Sequence, residues 1–219
     1  MKSAVLRAFV LVSLTFGPWA AEPQGGATPP FEAGKHYTVL SPAQPTSTDV
    51  GQIEVVEVFQ FGCGGCFNFE THLQNWLERK ADYIHFVRIP AIWNPTGALH
   101  ARAYYTAEVL GKADEIAGPF FDEFHRNRNY LETEEKLTAF FAQHGVDAAT
   151  FKNAFNSFAV NAKLKRAEEL AERYGVTATP TVIVNGKFVT TGTQAGTYPA
   201  WFAIIDDLAA RENAAASRQ

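Results

Sequence analysis

The two cysteines of this 219-residue chain stand in the segment Cys63-Gly64-Gly65-Cys66, where a strand-like run passes into a helix-like one. Two intervening residues place the sulfurs one helical turn apart, so they can form a disulfide or stay reduced with little backbone movement. As a structural crosslink the pair would contribute little, because disulfide stabilisation grows with the length of the closed loop and this loop is very short. The spacing therefore indicates thiol–disulfide exchange.

Of the two thiols, Cys63 is the predicted nucleophile and Cys66 the predicted resolving cysteine. Cys63 would lie at the helix N-terminus, where free N–H groups and the helix dipole favour the thiolate. Lowering a thiol pKa by about 3 units requires roughly 4 kcal/mol, whereas a helix terminus supplies about 2 kcal/mol at most. Direct N–H donors to the sulfur are therefore needed as well.

The composition suits one globular domain of moderate size. It is 47% apolar with 18 Phe, and the formal net charge of −4 provides no basic patch for nucleic acid. The six histidines are scattered, and a zinc site on the cysteines would need two further ligands. We therefore expect neither a metal nor another cofactor.

The N-terminus reads as an export signal. Lys2 and Arg7 precede an apolar stretch from Ala8 to Phe16, and the segment ends at Ala20-Ala21. Residues 1–21 are therefore predicted to be a signal peptide, with its cleavage site open. An uncleaved N-terminal anchor is the alternative. Residues 22–30, rich in Gly, Pro and Ala, are predicted to form a flexible leader. No later apolar run reaches the length of about 20 residues that spans a membrane, so we expect no membrane insertion of the mature chain.

Apolar periodicity predicts strands, then a helical block, then strands again. The predicted strands are Tyr37–Leu40, Ile53–Phe61, Tyr83–Ile89, Thr181–Val184 and Lys187–Thr190. Asn185-Gly186 between the last two is a hairpin signal.

The predicted helices are one after the cysteines, to about Lys80, several between Thr96 and Tyr174, and one over Pro199–Arg211. Thr133 and Asp147 are predicted N-caps, and Ala162–Tyr174 a long amphipathic helix. The predicted helix stops are Gly111, Gly118-Pro119, Gly145 and Gly175.

These segments resemble the thioredoxin superfamily and, within it, the DsbA family of exported thiol oxidases. The resemblance rests on Gly34–Leu40, on Glu57–Cys63, on Gly175–Pro180 and on Val184–Lys187, and it extends over residues 31–211. It implies an α/β, thioredoxin-like fold with an inserted helical domain. The implied boundaries are 31–95 and 176–211 for the thioredoxin-like domain and 96–175 for the insertion. Residues 212–219, which are polar and rich in alanine, are predicted to form a frayed tail.

The resemblance also assigns roles to other residues. Glu57 would be a buried acid beneath the disulfide that exchanges a proton with Cys66, and Arg88 is its candidate partner across the sheet. Thr179-Pro180 would be the cis-proline loop opposite the cysteines, with the Thr179 hydroxyl near the sulfurs.

Gly64-Gly65 stands where the best-known DsbA proteins carry Pro-His, so these two glycines are the expected redox-tuning positions. Because the histidine is absent, we expect Cys63 to be acidic but less so than in those relatives, and the protein to be a milder oxidant.

The predicted function is that of a periplasmic thiol:disulfide oxidoreductase, which donates its disulfide to reduced exported polypeptides. A DsbB-like membrane oxidase as re-oxidant follows from the resemblance, and a monomer is expected. Two alternatives remain open. One is a disulfide isomerase or reductase, although the residues before the fold leave no room for a dimerisation module. The other is a secreted binding module with an inert disulfide.

Overall fold

The computed structural model describes residues 30–218, and the predicted signal peptide and all but the last residue of the leader lie outside that range. Within it, five strands form one mixed sheet. The strands are β1 (Thr38–Val39), β2 (Ile53–Phe59), β3 (Ile84–Pro90), β4 (Thr181–Val184) and β5 (Phe188–Thr191). Their spatial order is β1-β5-β4-β2-β3. β2 and β3 are parallel, and every other neighbouring pair is antiparallel.

Eight helices surround the sheet in the described part of the chain. They are α1 (Gly64–Leu77), α2 (Pro95–Val109), α3 (Ala113–His125), α4 (Glu134–Gln143), α5 (Ala148–Phe155), α6 (Phe158–Arg173), α7 (Gly192–Ala195) and α8 (Tyr198–Ala216). Helices α2 to α6 follow one another between β3 and β4, where the sequence predicts a helical block. The arrangement is the predicted thioredoxin-like α/β fold.

The central strand β2 is buried on both faces, which is why its sequence lacks a clean polar alternation. Val56 and Val58 pack into the core that includes α2 to α6. Ile53 and Val55 pack into a second core with α1 and α8. Glu57 shares the parity of these last two residues, so the strand carries a carboxylate toward α1.

Local turn and cap signals are confirmed. The side chain of Thr133 accepts a hydrogen bond from the N–H of Lys136 at the start of α4, and Asp147 caps α5 in the same way. Asn185 and Gly186 have φ values of 51° and 62°, as a type I′ hairpin turn requires.

Two predicted helix limits within the helical block are wrong. Gly118-Pro119 does not stop a helix, because Pro119 lies inside α3. The loss from an internal proline, about 3 kcal/mol, is offset by burial of the flanking Phe120 and Phe121, each worth about 1.5–3 kcal/mol. Helix α6 begins at Phe158 rather than Ala162, because Ser157 caps it.

The last helix also runs further than predicted. It ends at Ala216 rather than at Arg211, so most of the predicted frayed tail is helical. Alanine-rich sequence favours the helix, and the Glu212 carboxylate accepts hydrogen bonds from Asn185 and Lys187 of the hairpin. No helix within residues 30–218 is long and apolar enough to cross a membrane.

Candidate active site

Cys63 is the N-cap of α1, as its place between strand and helix predicts. Strand β2 ends at Phe59, two residues earlier than predicted, because Gln60 begins the turn by accepting a hydrogen bond from the N–H of Cys63 at 3.1 Å. The Cys63 sulfur accepts a hydrogen bond from the N–H of Cys66 at 3.2 Å. The half-buried Cys63 thiol in turn donates to the carbonyl oxygen of Thr179, also at 3.2 Å.

These surroundings lower the pKa of the Cys63 thiol from 9.0 to about 5. The largest cause is a hydrogen bond from the Cys66 thiol, and partial burial opposes it. The Thr179 side chain and the N–H groups of Cys66 and Gly65 contribute further hydrogen bonds to the sulfur. The acidity therefore comes from direct donors and needs no histidine between the cysteines.

Cys66 lies one turn into α1 and is fully buried. Burial raises the pKa of its thiol well above 9.0, and hydrogen bonding to Cys63 and the charge of Glu57 raise it further. The pKa values of the two thiols are thus shifted in opposite directions. Cys63 is suited to being a thiolate at neutral pH, whereas Cys66 must hold a proton when it is reduced.

The predicted cis-proline loop lies against the cysteines. The Thr179–Pro180 peptide bond is cis. A Cβ atom added at Gly65 would lie 3.2 Å from Pro180 Cδ and 3.6 Å from the Cys63 sulfur, whereas one added at Gly64 would meet nothing within 4 Å. The two glycines therefore differ: Gly65 packs against the loop and Gly64 faces open space.

Glu57 is buried, with 1% of its surface exposed, on the strand beneath the cysteines. Its partner is Arg88, as expected. The two residues are in register on β2 and β3, and Arg88 Nε donates to Glu57 Oε2 at 3.0 Å. Burial raises the pKa of Glu57 to about 7, although the charge of Arg88 opposes the rise.

Sequence reasoning missed one carboxylate at this site. Glu70 of α1 is buried and also accepts a hydrogen bond from Arg88, through Nη2. The signal is its spacing: Glu70 follows Cys66 by four residues, so both lie on the same face of α1. An acid on a face that also carries the buried Leu73 must have an internal partner.

The end of α3 supports the turn before the cysteines. His125 Nε2 lies 2.7 Å from the carbonyl oxygen of Phe61, and its ring stacks on Phe67 with centroids 4.6 Å apart. A Cβ at Gly62 would lie 3.2 Å from the ring of Phe124. Helix α3 therefore fixes the position of the strand–helix junction.

Residues 30–218 contain no group of three or more His, Cys, Asp or Glu side chains that could hold a metal ion.

Comparison with known proteins agrees with this geometry. The DSBA-like thioredoxin domain family matches residues 70–196, more than half of the chain. The thiol:disulfide interchange protein DsbA of Pseudomonas aeruginosa is 34% identical over 218 residues, which cover 100% of both chains. That of Burkholderia cepacia is 29% identical over 208 residues, which cover 95% of this chain and 96% of the relative.

Solved structures lead to the same family. The crystal structure of Pseudomonas aeruginosa DsbA superposes with a TM-score of 0.80 at 36% identity, covering 85% of this chain and 97% of that one. The DsbA oxidoreductase of Xylella fastidiosa gives 0.78 at 30% identity, covering 84% and 98%. With these similarities and its acidic Cys63 opposite a buried Cys66, the chain belongs to the DSBA-like thioredoxin family and is a protein-disulfide oxidoreductase.

Proposed function

We propose that the chain oxidises reduced exported polypeptides in the periplasm by giving them its Cys63–Cys66 disulfide. The observation that carries this proposal is the opposite shift of the two thiols. The Cys63 pKa is lowered to about 5, and that of Cys66 is raised. A stable Cys63 thiolate is a good leaving group, which makes the enzyme's disulfide easy to transfer.

In the first step a substrate thiolate attacks the sulfur of Cys63, the more exposed of the two cysteines. A substrate–Cys63 disulfide forms, the Cys63–Cys66 bond breaks, and its electron pair leaves on Cys66. Because Cys66 is buried and its pKa is raised, this thiolate needs a proton at once. Glu57, whose pKa is about 7, is the group that supplies it.

In the second step another substrate thiolate attacks the substrate sulfur of the mixed disulfide. The substrate's own disulfide forms and Cys63 leaves as a thiolate. The hydrogen bonds from Thr179 and from the N–H groups of α1 stabilise this thiolate. Two electrons pass from the substrate to the enzyme, which ends reduced, with Cys63 as a thiolate and Cys66 as a thiol.

Thr179 and Pro180 act in this scheme as the substrate-facing wall. The Thr179 carbonyl lies 3.2 Å from the Cys63 sulfur, so its backbone is next to any chain that reacts there. An extended polypeptide can pair with exposed backbone in this way without sequence-specific contacts. This supports a broad substrate range.

Gly64 and Gly65 are the positions that set the redox potential.

The protein is then re-oxidised by a membrane-bound oxidase of the DsbB type and acts as a monomer. The family supports the membrane oxidase as partner, and the signal-like N-terminus supports the periplasmic location. The helical segment 96–175 is the inserted domain and 31–95 with 176–211 the thioredoxin-like one.

Equilibration of Cys63–Cys66 with glutathione tests the proposal. We expect a potential more oxidising than that of thioredoxin, about −270 mV, but less oxidising than about −120 mV, the DsbA reference. A value near −270 mV would contradict the oxidase and favour a reductase. An inert binding module would not equilibrate with glutathione in this range at all.

A further inference from the structure

The buried charges beneath the cysteines comprise two carboxylates that share one cation. Arg88 Nε donates to Glu57 Oε2 at 3.0 Å, and its Nη2 donates to Glu70 Oε2. The side chain of Arg88 is only 6% exposed. A guanidinium can bind two acceptors from its planar fork, which a lysine ammonium cannot do with the same fixed geometry.

The two carboxylates are not equivalent. Both oxygens of Glu70 accept hydrogen bonds, since Gln74 Nε2 donates to Oε1 at 2.7 Å and Arg88 donates to Oε2. Glu57 Oε1 is buried and has no hydrogen-bond partner within the described residues. A buried cluster of two carboxylates and one guanidinium has an excess negative charge, which favours the binding of a proton by one of the carboxylates. The free oxygen of Glu57 is the place for it.

We infer that Glu70 is a positioning residue for the exchange reaction: by holding one side of the Arg88 guanidinium, it leaves Glu57 free to gain and lose the proton that Cys66 needs. This inference rests on the proposed function. Without Glu70, Arg88 would serve Glu57 alone and hold it as a carboxylate. The pKa of Glu57 is consistent with this: burial raises it most, the Arg88 charge lowers it, and the Glu70 charge raises it again.

No other described group near Glu57 competes with it for the Arg88 guanidinium. The titratable and charged side chains that face it are Arg88 from β3, Glu70 and Cys66 from α1, Cys63 at the helix cap, and Tyr104 from α2. Its neighbour on β4 is Val182, and the buried side chains of α8 are all apolar. Burial raises the pKa of Tyr104 above its usual value, so Tyr104 stays neutral at working pH. Within residues 30–218, Glu70 is therefore the carboxylate that shares Arg88 with Glu57.

The test compares Glu70→Gln with the unmodified protein in two measurements on the full oxidised chain. The first is the titration of the Glu57 carboxyl, followed by carbon-13 NMR. The second is the rate at which a reduced cysteine peptide opens the disulfide between pH 5 and 9. We expect the Glu57 midpoint to fall by about one pH unit, which makes disulfide opening at pH 7 about five-fold slower because less Glu57 is protonated.

Glu54→Gln is the matched control, because Glu54 is a buried glutamate on the same strand, three residues away and on the opposite face. We expect it to leave the Glu57 midpoint in place. Glu70→Asp keeps the charge but shortens the reach to Arg88, so it should give a smaller fall and still tests the inference if Glu70→Gln does not fold. Combining Glu70→Gln with Glu57→Gln should abolish the effect of the former on the pH profile.

An unchanged Glu57 midpoint in Glu70→Gln, or in Glu70→Asp if only that variant folds, would overturn the inference. So would an equal effect of Glu70→Gln in the Glu57→Gln background. Neither result would affect the proposed function, which fails if the unmodified protein does not oxidise the peptide or if its potential lies near that of thioredoxin, about −270 mV.

Discussion

The two ends of the first turn of α1 place the same chemical group in opposite environments. At the N-cap, Cys63 is half-buried and receives hydrogen bonds from the Cys66 thiol, from the Thr179 side chain and from N–H groups, and its pKa falls to about 5. Three residues later, Cys66 is fully buried above Glu57, and its pKa rises. The difference teaches that redox direction here depends on where each sulfur lies relative to the helix end, since both thiols have the same intrinsic chemistry.

Exchanging each cysteine for alanine should separate the two environments most clearly. We expect Cys63→Ala to abolish oxidation of a reduced, unfolded substrate protein, because no exposed sulfur remains to form the mixed disulfide. With oxidised glutathione, Cys66→Ala should instead accumulate a Cys63–glutathione mixed disulfide, visible by mass spectrometry, because the Cys63 thiolate displaces one glutathione thiolate and no second cysteine resolves the product. Retained oxidation by Cys63→Ala would show that the assigned nucleophile is wrong.

Removing the proton source beneath Cys66 should have the next largest effect. Glu57→Gln keeps the shape but cannot exchange a proton, so we expect disulfide opening at pH 7 to slow by about 100-fold. The thiolate absorbance of Cys63 should change little, since Glu57 is only a minor influence there. If the rate does not change, protons reach Cys66 by another path.

The comparison also predicts a pH-dependent stability of the reduced form. The pKa of Cys63 is about 5 in the folded protein and 9.0 where these contacts are absent, as in the unfolded chain. The Cys63 thiolate therefore contributes fully to folding stability above pH 9, and this contribution is lost as the pH falls through 5. Glu57 has the opposite sign, because its pKa is raised from 4.5 to about 7 and its stabilisation is lost as the pH rises through 7.

The oxidised protein lacks the Cys63 thiolate but keeps Glu57, so the difference in unfolding free energy between the two forms isolates the thiol. We expect the reduced form to gain stability relative to the oxidised form from pH 5 to pH 9. Urea unfolding of both forms at several pH values measures this difference. A constant difference over that range would contradict an acidic Cys63.

The two glycines between the cysteines should show the smallest effects. Gly64→Ala enters open space and should stabilise the first helical turn by up to about 1 kcal/mol. Gly65→Ala brings a Cβ within 3.2 Å of Pro180, so we expect little or no gain and a larger change of redox potential. Thermal unfolding and glutathione equilibration of both variants check this, and equal behaviour would mean that the contact with Pro180 is unimportant.

Much of this site could be predicted from local sequence. The nucleophile, the helix caps at Thr133 and Asp147, and the hairpin turn at Asn185-Gly186 all depend on a few neighbouring residues. The place of Pro119 inside a helix and the contact of Glu70 with Arg88 could not be predicted, because each depends on what packs around it. An internal proline is tolerated where its neighbours are buried, and a buried acid is tolerated where a cation meets it.

The sequence by itself determined the reaction type, since two thiols one turn apart at a strand–helix junction can do little except exchange disulfides. It also pointed to Glu57, Arg88 and the Thr179-Pro180 loop through their resemblance to a known family. Only the tertiary structure decided how the Arg88 guanidinium is shared between the two buried carboxylates. Arg88 lies between Glu57 and Glu70 because β2, β3 and α1 converge there. Such a balance depends on burial and distance, which no local pattern encodes.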